Sequence, residues 1–160
     1  MSAREFILLS NDNDGLPASA DERLVQLLAY WRSKRCTRDV PARSSIDPLD
    51  IPRLLTNVFI LEVDGGEFRF GLVGEALNAR YGGQLKGQTL SQLLSGQALG
   101  ETTEEHMSSV RKRVPVYTRN TEQSRLVYDD FQVYQRLLLP LAAAQDTIDA
   151  ILGAMVFESP

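Results

Sequence analysis

The stretch Ile148–Phe157 (IDAILGAMVF) constrains the fold more than any other part of the chain. In extended backbone, successive side chains point to opposite faces. One face then carries Ile148, Ala150, Leu152, Ala154 and Val156; the other carries Ile151, Met155 and Phe157 beside Asp149 and Gly153. Antiparallel sheets commonly leave one face wet and polar, and this strand has no such face. The chain must therefore supply a cover on each side of one sheet.

The rest of the sequence offers the covers. Asp21 opens a predicted helix over Asp21–Arg35, with Leu24, Leu27, Leu28 and Trp31 at helical spacing on one stripe. That stripe must be buried against something. The polar residues 11–20 (NDNDGLPASA) set it apart from the amino terminus, so residues 1–20 are expected as a flexible segment and residues 21–158 as the domain. Residues 39–52 hold Pro41, Pro48 and Pro52 and read as a fixed connector, with a helical turn possible between Ile46 and Leu55. Strands follow at Val58–Val63 and Phe68–Val73, joined by the hairpin signal Asp64-Gly65-Gly66-Glu67. The middle is broken into short helices by Gly82, Gly83, Gly87 and Gly96, before a longer helix over Glu101–Val114. Strands at Pro115–Arg119, Phe131–Leu141 and Ile148–Phe157 complete the order. Helix, two strands, helices and three strands describe an α+β domain with an antiparallel sheet.

A net charge of −4 argues against nucleic acid or an anionic membrane as partner. The basic clusters Arg32–Lys34–Arg35 and Arg111–Lys112–Arg113 sit at predicted helix ends, where cations suit the macrodipole. The single Cys36 excludes an internal disulfide and a cysteine-based zinc site. The four-residue apolar run near the amino terminus is too short for a signal peptide or a membrane span. A cytoplasmic protein is expected, with no metal.

Several segments, taken in order, resemble a PAS-like family common in alphaproteobacteria whose ligand is unknown. They are Trp31-Arg32 with Pro41-Ala42-Arg43, Ile46-Asp47-Pro48, Ile51-Pro52 and Leu54-Leu55; then Phe68 to Gly74; then Tyr81-Gly82 with Leu85-Lys86-Gly87-Gln88-Thr89-Leu90; and finally Arg136 to Leu141 and Ile151 to Ala154. Gly71 and Ala143–Asp146 depart from the family pattern. The resemblance implies a five-stranded antiparallel sheet with helices on one face around a small central cavity. The helix Asp21–Arg35 would cover the other face. It also implies a bacterial sensory domain that holds a small ligand and signals through protein contacts. No kinase, cyclase or DNA-binding segment follows in this sequence, so output is expected through a signalling partner or a homodimer.

Catalysis has little to build on. Cys36 and His106 lie seventy residues apart, serines such as Ser91 and Ser95 lack a nucleophile-elbow context, and Asp47, Asp50, Asp129 and Asp130 form no evident acid/base pair. No enzymatic activity is expected. Arg43 is a candidate ligand contact at the cavity mouth or, paired with Asp47, a clamp on the connector. Tyr81, Tyr117 and Tyr134 are candidates to direct hydroxyls into the cavity. Leu24, Leu28 and Trp31 are expected at a homodimer interface, with Trp31 as anchor. His106 has the chemistry of a haem ligand. A buried stripe of Met107, Val110 and Val114 would leave it on the wet side of its helix. The flavin-site run of asparagine, cysteine and arginine is absent. The cofactor stays unspecified, and three readings stand: a ligand-binding sensor, an interaction module with a filled cavity, and a haem sensor through His106.

Overall fold

In the computed structural model, which describes residues 4–123 and 131–158, the doubly apolar strand lies inside a six-stranded sheet. The strands are β1 (Glu5–Leu8), β2 (Val58–Asp64), β3 (Glu67–Val73), β4 (Val116–Gln123), β5 (Phe131–Ala142) and β6 (Ile148–Phe157). Their order across the sheet is β1-β4-β5-β6-β2-β3, and every neighbouring pair is antiparallel. The helices are α1 (Glu22–Lys34), α2 (Glu75–Tyr81), α3 (Leu90–Leu93) and α4 (Gly96–Lys112). The connector before β2 is three short 3-10 turns, at Arg43–Ser45, Pro48–Asp50 and Leu55–Asn57.

The alternation expected of β6 divides the core in two. Ile148, Ala150, Leu152, Ala154 and Val156 pack with Leu24, Leu27, Leu28 and Trp31 of α1. Ile151 and Met155 pack on the other face with Phe59, Phe68 and Phe70 and with Leu77, Leu90 and Leu93 of α2 and α3. Asp21 caps α1 by accepting from the Arg23 amide at 2.9 Å, and Gln135 of β5 accepts from the Asp21 amide at 2.8 Å. The helix start is thereby fixed to the sheet it covers.

Two glycines answer to geometry. Gly65 and Gly66, at φ +56° and +92°, form the two-residue loop of the β2–β3 hairpin, where the strand twist favours left-handed residues. Gly153 pairs with Phe59, and the Phe59 ring lies so close that a Cβ there would sit 2.2 Å from its Cζ.

The strand count is six and not five. Glu5–Leu8, expected within a flexible segment, pairs with β4 from Glu5↔Arg119 to Leu8↔Val116. The loop behind it is tied to α1, since Arg32 donates to the carbonyls of Ser10 (2.9 Å), Asn11 (3.2 Å) and Asp14 (2.6 Å). A run of four residues gives little pattern to read, but the open edge of β4 provides it with a ladder. The dimer expectation also changes. Leu24, Leu28 and Trp31 are buried under the sheet within a single chain, so they cannot form a surface for a second copy. Among the described residues, no helix is long and apolar enough to cross a membrane.

Candidate functional site

The strand pleat places Tyr134 and Arg136 of β5 on the same face as their β4 partners Asn120 and Thr118, and that face looks towards α4. Arg136 is 5% exposed. A guanidinium cannot lose its charge at such a depth, so it needs a buried acceptor. Glu105 of α4, 1% exposed, supplies it: one carboxylate oxygen takes Arg136 Nη2 and the Thr118 hydroxyl at 3.0 Å. The other oxygen takes Arg4, whose Nε stands at 2.9 Å. Burial raises the Glu105 pKa, but Arg136 and Arg4 outweigh it and hold the carboxyl below its usual range.

Beside this centre lies a cleft of about 550 Å³ between the α3–α4 segment and β4–β5. Arg136, Tyr134, Tyr81 and Thr102 converge on it, with Leu93, Leu94 and Ala98 as apolar wall. Tyr81 donates to Glu122 at 3.0 Å. Burial pushes both the Tyr81 hydroxyl and the Glu122 carboxyl up, so each favours its neutral form. Deeper inside, Phe59, Phe70, Leu77, Leu90, His106 and Met155 close around a cavity of only about 20 Å³.

The expected site residues separate. Tyr81 and Tyr134 meet at the cleft. Tyr117 points to the α1 face, fully buried, with its hydroxyl donating to Gln135 at 3.1 Å. Arg43 is not clamped to Asp47; it makes a two-pronged ion pair with Glu62 of β2. Asp47 instead caps the turn at Pro48–Asp50, accepting from the Leu49 amide at 3.0 Å, and its own amide donates to the Tyr30 hydroxyl at 3.0 Å. Arg43 and Asp47 stand four positions apart, Arg43 opening one 3-10 turn and Asp47 capping the next. Both members of the Arg43–Glu62 pair are more than a third exposed, so it contributes well under about 1 kcal/mol. Asp129 and Asp130 lie outside the described residues.

His106 corrects the expectation most sharply. It is buried, its ring 5.3 Å from that of Phe68, on a stripe formed by Thr102, Glu105, His106 and Ser109. The apolar residues expected on that stripe are only partly buried. Helix α4 buries its polar side because the sheet opposite carries Thr118 and Arg136. His106 Nδ1 lies 2.6 Å from the Thr102 carbonyl, which only accepts, so Nδ1 carries the proton. Burial and the nearby Arg136 pull its pKa from 6.5 to about 3.

That shift has a signature. The folded state holds His106 neutral, so its contribution is complete above the unfolded value and is lost as pH falls towards about 3. Roughly 2 kcal/mol of stability should disappear between about pH 7 and pH 5. Urea titrations of the wild type and His106→Gln across that window check it, the variant being expected to show a flatter profile. Equal slopes would rule out a buried neutral histidine.

Neither haem nor flavin fits. The space beside His106 has room for about one water and none for a porphyrin. Cys36 is exposed just beyond the end of α1, a helix that packs on the face of the sheet opposite Phe59 and Phe70. Among the described residues, no group of three His, Cys, Asp or Glu side chains could hold a metal.

Arg136, Glu105 and Glu122 were not singled out as site residues from the sequence. The available signal was Arg136 itself, a charge two positions from Tyr134, opening the apolar run to Leu141 in a strand covered on both faces.

A search of curated proteins finds no match. In fold, the chain is similar to an RNA-binding Light-Oxygen-Voltage receptor, with TM-score 0.54 at 8% identity over 98% of this chain. It spans 38% of that receptor chain. It is also similar to a Light-Oxygen-Voltage domain solved in work with a flavin analogue, with TM-score 0.51 at 10% identity, covering 69% of this chain and 83% of that one. At such identities the likeness concerns the fold. The sequence profile of the PAS domain family, however, matches residues 20–156, from the start of α1 to the end of β6. The chain belongs to the PAS domain family.

Proposed function

We propose that this chain is a sensory module without catalytic activity, which takes a small molecule into the cleft beside Arg136 and passes occupancy on through protein contacts. One observation carries the reading. Polar groups from three separate elements, Tyr81, Thr102 and the Tyr134–Arg136 pair, converge on a cleft whose volume of about 550 Å³ suits a small ligand. The deep cavity, at about 20 Å³, is filled by the protein's own side chains, so the cleft replaces it as the binding place. The output passes to a second copy or a signalling partner by a surface other than Leu24, Leu28 and Trp31.

Native mass spectrometry of the freshly purified full chain tests this. A copurifying small molecule is expected, and Ala98→Trp, which fills the cleft wall, is expected to remove it. If nothing is retained and no small polar metabolite raises the melting temperature, the reading fails. The filled deep cavity would then favour the second reading, a purely structural interaction module.

A further inference from the structure

Arg136 and Arg80 share an unusual state. Arg136 is 5% exposed and the Arg80 side chain 9%. Yet Arg136 Nε, Arg80 Nε and Arg80 Nη2 have no hydrogen-bond acceptor among the described residues. Buried guanidinium donors are costly to leave unmatched. The nearby carboxylates cannot supply the missing acceptors. Both oxygens of Glu105 are taken by Arg4, Thr118 and Arg136 Nη2. Glu122 is engaged by Tyr81, and its closest approach to Arg80 is 3.4 Å.

Among the described residues that line the cleft, Arg136 is the one guanidinium, with its partner Glu105 and the Tyr81-bonded Glu122 beside it. Glu101 also lines the cleft and opposes a second negative charge on any ligand. The wall of Leu93, Leu94, Ala98 and the two tyrosine rings suits an apolar body.

We infer that the cleft takes a small organic monocarboxylate, its carboxylate accepting from Arg136 and its apolar body lying along Leu93, Leu94 and Ala98. A carboxylate matches the planar guanidinium fork and is the strong acceptor that an unmatched Arg136 Nε–H calls for. A phosphate or dicarboxylate would bring its extra charge against Glu101. The inference rests on the cleft being the ligand site, as proposed above.

The test titrates the full chain with acetate, hexanoate, benzoate and phenylacetate, each against its primary amide, by calorimetry and by the ¹⁵N–¹H signal of the Arg136 Nε–H. At least one carboxylate is expected to bind about tenfold or more tighter than its amide and to move that signal. Arg136→Lys, which keeps the charge and loses the fork, should weaken it by a similar factor, and Ala98→Trp should abolish it. If Arg136→Lys does not fold, the Nε–H signal and Ala98→Trp decide alone. Amides binding as well as carboxylates, or an unmoved Nε–H signal, overturns the inference. A neutral molecule found by native mass spectrometry would overturn it while leaving the sensory reading intact. No ligand of either kind would defeat both.

Discussion

Glu105→Ala should cost about 3–5 kcal/mol, because it strands a buried guanidinium without its counter-ion. Glu105 joins β5 through Arg136, β4 through Thr118 and the segment ahead of β1 through Arg4. Total stabilities of about 5–15 kcal/mol are usual, so this is a large fraction of the whole. Denaturant melts at neutral pH measure it. The double replacement Glu105→Leu with Arg136→Leu is expected to recover most of the loss, since a buried pair exchanged for apolar groups is often neutral. A cost below about 1 kcal/mol for Glu105→Ala would mean that water reaches Arg136 freely. The carboxyl is held below its usual range, so its contribution is present above the ordinary carboxylate range. It is lost as acid carries the pH through the lowered folded value. The His106 loss begins first, between about pH 7 and pH 5, before Glu105 starts to protonate, so that interval reports His106.

Trp31→Ala should cost about 3–5 kcal/mol as well, for a different reason. Trp31 is fully buried between α1 and the sheet, and its indole N–H donates to the Pro140 carbonyl at 2.9 Å. Alanine removes the ring from the outer core and leaves that carbonyl without a donor. Trp31→Phe, which keeps most of the volume, should lose only about 1–2 kcal/mol. Urea melts followed by circular dichroism at several protein concentrations check both. The loss should not depend on concentration, because the ring is covered by its own chain. A loss that grows on dilution would place Trp31 at an interface between copies.

Much of the architecture was legible because strand and helix periods are local properties of the chain. The alternation in Ile148–Phe157 correctly divides the core between α1 and the α2–α3 side, and the Leu24/Leu27/Leu28/Trp31 stripe correctly covers one face. Asp64 to Glu67 forms the expected hairpin turn. The start of α4 was less legible, since Gly96 reads as a break and the helix is expected only from Glu101, while it runs from Gly96 through Gly100. Strand β1 was missed because four residues do not make a pattern without the β4 edge they join.

The sequence by itself determined the α+β order, the sheet with two covers and the family. Each follows from spacing that a backbone enforces over a few residues. The site was decided by tertiary structure alone. Arg4, Glu105 and Arg136 are separated by 101 and 31 residues, and Tyr81 meets Glu122 across 41. A charged or polar residue in a helix reads as solvent-facing until its buried partner is known. Glu105 and His106 lie inward because Arg136, Thr118 and the Thr102 carbonyl offer the charge and hydrogen bonds that offset their loss of water.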